Sequence, residues 1–112
     1  MKIFFSYCLF FCALLAFGQK KDNFVLIDAK MAKIPKASTK NTKSIADYIT
    51  TNFKSENEKL RAAFFWVASN ISYDVANMEN IEFSDTSEQK IEKTLTTRKG
   101  VCIHYAELFN AI

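Results

Sequence analysis

The amino-acid sequence predicts a mainly α-helical chain, and three features of the residues after position 43 support this fold class. Apolar side chains recur at intervals of three and four residues, which places them on one face of a helix. Two serines, Ser44 and Ser55, are each followed three residues later by an acidic residue, the pattern of a helix capping box. Neither glycine nor proline, the strongest helix breakers, occurs between Pro35 and Gly100.

We expect four helices, near residues 45–53, 56–70, 86–97 and 101–112. The first places four apolar side chains on one face: Ile45, Tyr48, Ile49 and Phe53. In the second, the predicted core stripe consists of Leu60, Ala63, Phe64, Val67 and Ile71. Phe65 and Trp66 extend the apolar surface of this helix beyond one stripe, so we expect both side chains to lie in the core as well.

The third and fourth helices are predicted to follow one another closely. Ile91 and Leu95 are four residues apart, and Lys99 and Gly100 provide a stop, because glycine commonly follows a helix C-terminus. The helical pattern then restarts at once, with one apolar flank formed by Val101, Tyr105, Leu108 and Ile112. Cys102 therefore falls in the first turn of the fourth helix.

The first 18 residues have the pattern of a secretory signal peptide. Lys2 forms a short positive region, an almost unbroken apolar run extends from Ile3 to Phe17, and Ala16 and Gly18 supply small residues at a cleavage site. The run is shorter than the roughly 20 apolar residues that a membrane span needs. We therefore expect cleavage after Gly18, export to the periplasm or the medium, and no membrane attachment of the mature chain.

Residues 19–43 differ from the rest of the chain in charge. They carry seven lysines against Asp22 and Asp28, whereas residues 44–112 carry seven basic and ten acidic groups. This composition predicts a solvated basic linker or arm, in which Phe24 to Ala29 is a candidate short strand. Lysines without interleaved aromatic residues do not indicate nucleic-acid binding, and residues 44–112 form the predicted domain.

Export leaves Cys102 as the only cysteine of the mature chain, because Cys8 and Cys12 lie in the signal peptide. Its thiol is either buried and inert, half of an intermolecular disulfide, or a reactive nucleophile. Its place in a first helical turn favours the nucleophile, since free N–H groups and the helix dipole stabilise a thiolate and a developing oxyanion. Gly100, which has no side chain, is expected to let a substrate backbone approach.

His104 is the only histidine and lies two residues after Cys102. Residues i and i+2 of a helix project about 200° apart, so the imidazole does not face the thiol. A base that activates the thiol has to come within about 3.2 Å of it. We therefore expect His104 to face the surface or a partner, and the activating histidine to come from elsewhere.

Two segments resemble motifs of a known family. KGVCIHYAELFNAI is similar to the catalytic-cysteine helix of the transglutaminase-like superfamily, in which a G-x-C motif opens the central helix. KLRAAFFWVASNISYD, from Lys59 to Asp74, is similar to the helix that ends in W-(V/I)-x-x-N-I-x-Y-D in secreted bacterial and kyphoscoliosis-peptidase-like members. The order and spacing of the motifs agree with the family, so the resemblance covers about residues 44–112.

The resemblance implies an α+β, papain-like or transglutaminase-like fold in the complete protein, of which this chain is the mainly α N-terminal half. It also implies a Cys-His-Asp triad in which Cys102 is the nucleophile, while the histidine and aspartate lie on downstream strands that this sequence does not contain. Because the apolar periodicity continues unbroken to Ile112, we expect a partial sequence or truncated gene model rather than a complete pseudoenzyme. By itself the chain is then expected to be inactive.

The reaction implied by the resemblance is attack of the Cys102 thiolate on a peptide or glutamine amide, which gives a thioester acyl-enzyme. Water then completes hydrolysis, or an amine completes acyl transfer. The partner is a peptide or protein substrate, and the alternative is a non-catalytic module that binds peptide or cell-wall material. No metal or organic cofactor is indicated, since no acidic cluster has calcium-ligand spacing.

Overall fold

A computed structural model describes residues 23–112, and these are mainly helical. The helices are α1 (Phe24–Met31), α2 (Thr42–Asn52), α3 (Glu56–Asn70), α4 (Ser87–Thr97) and α5 (Cys102–Ala111). Single 3₁₀ turns lie at Lys36–Thr39 and Val75–Asn77. The predicted signal peptide, residues 1–18, lies outside the described residues, and none of the helices within 23–112 has the length and apolarity to cross a bilayer.

Two very short parallel strands join the middle of the chain to its last helix. β1 (Ser72–Tyr73) pairs with β2 (Lys99–Gly100), with Ser72 opposite Lys99 and Tyr73 opposite Gly100. Backbone bonds extend the pair, since the N–H of Asp74 donates to the Gly100 carbonyl at 3.0 Å. β2 leads directly into α5, so this pairing positions the start of the cysteine helix.

Helices α2 to α5 correspond to the four helices predicted from the sequence. The capping box at Ser55 and Glu58 is confirmed at the start of α3. The box predicted at Ser44 is displaced, because α2 begins at Thr42 and its N-cap is Asn41. Ser44 is instead the third helical residue, whose hydroxyl accepts from the N–H of Asn41 at 3.2 Å. An asparagine cap serves the same N–H groups as serine does, so spacing alone does not distinguish the two.

The buried face of α3 differs from the predicted stripe. Trp66 is fully buried, as expected, together with Ala62, Ala63, Val67 and Ile71. Leu60 and Phe64, which the prediction placed in the core, are each 55% exposed. The difference arises because α3 packs against α1, α2 and α5 at once. The arrangement of these three neighbours, rather than the apolar pattern of α3 alone, decides which side chains are buried.

The segment predicted as a candidate strand within a solvated arm is helix α1, and its inner face is part of the core. Ile27 and Met31 are buried, and they are four residues apart, so they share one helix face. Asp28 accepts two bonds from Arg61 of α3, at 2.8 Å from Nε and 2.6 Å from Nη2. The strand prediction is wrong, and the buried side chains show that residues 24–31 are not a solvated arm.

Arg98, not Gly100, ends α4. It adopts a left-handed backbone with φ 55°, which non-glycine residues rarely do. Its guanidinium lies 4.9 Å from the centre of the Trp66 ring, and Nη2 donates to the Thr39 carbonyl at 3.4 Å. These contacts of the side chain with the core and with the 3₁₀ turn offset the backbone strain.

Candidate functional site

Cys102 is the first residue of α5, and its thiol is exposed and free. The thiol lies two residues beyond β2, at the carboxyl end of the parallel strand pair. The hypothesis of a buried, inert thiol is therefore wrong for the described part of the chain. The opposite flank of the same helix is anchored, with Val101 and Leu108 buried and the Tyr105 hydroxyl donating to the Ile71 carbonyl at 2.7 Å.

The start of α5 differs from the starts of the three helices before it. Each of those has an N-cap side chain whose oxygen accepts an N–H group of the first turn: Asn41 in α2, Ser55 in α3 and Thr86 in α4. The N-cap of α5 is Val101, whose side chain has no acceptor atom. In α5 the corresponding N–H, that of His104, has no side-chain acceptor and lies 2.9 Å from the Val101 carbonyl instead. The N–H groups of Cys102 and Ile103 precede the first intrahelical bonds, as the first N–H groups of every helix do.

His104 caps the backbone immediately before Cys102. Its Nδ1 accepts the N–H of Val101 at 3.1 Å, and the residue is half-buried. The sequence prediction that His104 faces the surface or a partner is therefore incomplete, because one ring nitrogen is engaged within the chain. Since the accepting nitrogen carries no proton, the proton of the neutral ring is on Nε2.

Gly100 makes room for His104. A Cβ atom at position 100 would lie 2.5 Å from Cβ of His104 and 3.0 Å from its Cγ, too close for any side chain. Gly100 is itself buried, and its φ is not in the left-handed region. His104 thus fills the side of Gly100 on which a side chain would project, while Gly100 also lines the adjoining pocket, and the expectation that this glycine admits a substrate backbone stays a prediction.

A pocket of about 400 Å³ adjoins the start of α5, and His104, Gly100 and Val101 are among its lining residues. All three of its carboxylates already have partners in the chain, and Glu82 accepts from the Ser84 hydroxyl at 2.5 Å. Asp74 accepts from the Asn77 side-chain amide at 3.1 and 3.0 Å, and Asp85 pairs with Lys93. Within residues 23–112 no cluster of three or more histidine, cysteine or acidic side chains is arranged to hold a metal ion.

The sequence identified the position of the thiol but missed the residues that shape its surroundings. The capping role of His104 has a detectable signal, since it stands three residues after Val101, as Glu58 stands three residues after Ser55. The bond from Tyr105 to Ile71 has no such signal, because 34 residues separate its partners.

Comparison with known proteins places the same segment in a family. A family model described as the transglutaminase-like superfamily matches residues 43–112, whereas no curated protein and no solved structure matches the chain significantly. The matched segment begins at the start of α2 and includes both motifs and the cysteine helix. Because it covers well over half of the 112 residues, this chain belongs to the transglutaminase-like superfamily.

Proposed function

We propose that this chain carries the nucleophile of an exported transglutaminase-like cysteine enzyme that acts on peptide or glutamine amide bonds. The observation that carries the proposal is the exposed Cys102 thiol in the first turn of α5, where the backbone N–H groups of a helix start lie. Family membership adds the expectation of a cysteine at this point of the fold. The histidine and the carboxylate of the triad are proposed to come from residues of the complete protein that follow Ile112.

The proposed reaction begins with attack of the Cys102 thiolate on the amide carbonyl carbon, which forms a C–S bond and a tetrahedral oxyanion. The N–H groups of Cys102 and Ile103 are suited to donate hydrogen bonds to that oxygen. The C–N bond then breaks, and the amine leaves with the proton that the histidine took from the thiol. Water or a second amine attacks the resulting thioester, which releases acid or new amide and restores the thiol.

His104 does not supply the base in this proposal. Its Nδ1 is occupied by the Val101 N–H, and its side chain leaves the helix about 200° away from that of Cys102. Asp74 is likewise not assigned to the triad, since both of its oxygens accept from Asn77.

The first test reads the genomic frame beyond the codon for Ile112. We expect it to continue and to encode a histidine followed by an aspartate on predicted strands. A stop codon at that point would exclude the enzyme for this product and would favour the non-catalytic peptide-binding or cell-wall-binding module.

The biochemical test incubates the product of that frame with a glutaminyl peptide and hydroxylamine. We expect a hydroxamate in the native protein and at least about a thousandfold lower rate after Cys102→Ser, because the nucleophile is lost. His104→Gln is the matched control: activity is retained, whereas loss of a general base costs about 10²–10⁴ in rate. The measured mass of the exported product is expected to equal that of a chain that begins at Gln19.

Two results would contradict the proposal. One is peptide binding without hydroxamate or hydrolysis by a folded native protein, which points to the binding module. The other is activity that persists after Cys102→Ser.

A further inference from the structure

We propose that His104 is a positioning residue for Cys102, which holds the helix start by accepting the Val101 N–H and filling the space beside Gly100. This inference rests on the proposed function, because the positioning of Cys102 matters for catalysis only if Cys102 is the nucleophile. The positioning itself is measured on the thiol and needs no catalysis. The sole histidine of the chain thereby has a role other than base catalysis.

The same type of hydrogen bond forms at the start of four helices in the described part of the chain. In each, the side chain of the third helical residue accepts the N–H of the N-cap: Ser44 at 3.2 Å, Glu58 at 3.1 Å, Gln89 at 2.8 Å and His104 at 3.1 Å. In α2, α3 and α4 the N-cap side chain bonds back to the third residue. In α5 that return bond is missing, because Val101 has no acceptor, and the N–H of His104 lies 2.9 Å from the Val101 carbonyl instead.

The start of α5 therefore depends on His104 more than the other helices depend on their third residues. One side-chain bond fixes the turn, where two fix it elsewhere. An oxygen at position 101 would add a second side-chain bond, to the N–H of His104, as the N-cap residues do in α2, α3 and α4. With valine at position 101, His104 supplies the single side-chain bond that holds this turn.

The close approach of His104 to Gly100 provides the second restraint. No side chain fits at position 100, because its Cβ would lie 2.5 Å from Cβ of His104 and 3.0 Å from Cγ of the imidazole. Gly100 is also the last residue of β2, in register with Tyr73 of β1. The imidazole thus packs the helix start against the strand that precedes it, and Cys102 stands between these two contacts in sequence.

The test measures alkylation of Cys102 by iodoacetamide in the full chain, with the adduct quantified by peptide mass spectrometry so that Cys8 and Cys12 do not contribute. For His104→Ala we expect the rate to fall by up to about fivefold, because loss of a helix cap destabilises the helix start that holds the thiol beside its backbone N–H groups. His104→Gln, which retains a neutral acceptor, is expected to restore the rate. Gln89→Ala removes the equivalent bond in α4 and is the matched control, with a rate within about twofold of native.

The proposal is overturned if His104→Ala and Gln89→Ala change the rate equally, or if His104→Gln reacts as slowly as His104→Ala. A measurement on the native chain covers the case in which His104→Ala does not fold. A long-range ¹H–¹⁵N spectrum of the neutral imidazole is expected to show Nδ1 unprotonated and Nε2 protonated, and the reverse tautomer would contradict the capping bond. None of these measurements requires amide turnover, so failure of the proposed enzyme activity is distinguishable from failure of this inference.

Discussion

At the scale of single residues, Tyr105 ties the cysteine helix to the rest of the core. Its hydroxyl donates to the Ile71 carbonyl at 2.7 Å, where α3 has just ended, and its ring lies 6.2 Å from that of Tyr73. The bond satisfies a carbonyl that the helix end would otherwise leave without a partner. Tyr105, which lies about one helical turn after Cys102, therefore joins α5 to the end of α3.

We expect Tyr105→Phe to lower the free energy of unfolding by about 1–2 kcal/mol, because the part-buried Ile71 carbonyl loses its donor. Urea unfolding followed by circular dichroism measures the change. Tyr73→Phe is the matched control, since Tyr73 is 51% exposed and removal of its hydroxyl leaves the ring contact in place. Equal losses in the two variants would argue against an anchoring role for the Tyr105 hydroxyl.

At the scale of elements, the docking of α1 on α3 combines an apolar contact with a charged one. Ile27 and Met31 are buried in the core. Asp28, which lies between them in the sequence, accepts two hydrogen bonds from Arg61 of α3. Arg61 also covers aromatic rings, at 5.0 Å from the centre of Phe24 and 5.5 Å from that of Phe64. The hydrogen bonds of Arg61 lower the pKa of Asp28 below its ordinary value.

A lowered pKa makes the docking of α1 sensitive to acid. The unfolded chain binds a proton at Asp28 at a higher pH than the folded chain does, so the stabilisation is complete above the ordinary carboxyl pKa of about 3.9 and is lost as the pH falls through the lowered value. We expect Asp28→Asn to be less stable than native at pH 7, and the difference to shrink below about pH 4. Urea midpoints measured between pH 7 and pH 3 give the comparison.

Asp47→Asn serves as the control for this pH series. Asp47 pairs with Lys43 at 2.6 Å, but both side chains are largely exposed, and such pairs contribute little to stability. A gap between native and Asp28→Asn that stays constant down to pH 3 would contradict the proposed contribution of the Asp28 carboxylate.

At the scale of the whole molecule, one core links α1 to the cysteine helix. It includes Ile27 and Met31 of α1, Trp66 of α3 and Leu108 of α5. Residues from the lysine-rich segment and from the end of the chain are thus buried in the same cluster. The α1 segment lies before the region that the family model matches, and it nevertheless supports the helix layer on which α5 rests.

We expect Met31→Ala to lower the free energy of unfolding by about 2–5 kcal/mol, the usual cost of truncating a fully buried side chain. Val25→Ala on the outer face of the same helix, where the side chain is 75% exposed, is expected to change it by no more than about 0.5 kcal/mol. Chemical denaturation measures both. Similar small effects at the two positions would indicate that α1 does not contribute to the core.

Elements with local signals were predicted well, and elements that depend on distant contacts were not. The capping box at Ser55 and the apolar face of α2 follow from neighbours within one or two turns. The identity of α1 was missed because the seven lysines of residues 19–43 dominate the composition of that segment and concealed the apolar pair at positions 27 and 31. The left-handed Arg98 was missed because its support comes from Trp66 and Thr39, far away in sequence.

The sequence by itself determined the helical fold class, the family, and the place of Cys102 in a first helical turn, because each of these is encoded in spacing along the chain. The tertiary structure alone decided which face of α3 is buried, that α1 belongs to the core, that the thiol is exposed, and that His104 accepts the Val101 N–H at the start of α5. The physical reason is that burial and hydrogen bonding depend on which surfaces meet in three dimensions. Spacing along one helix states which side chains share a face, but not what that face contacts.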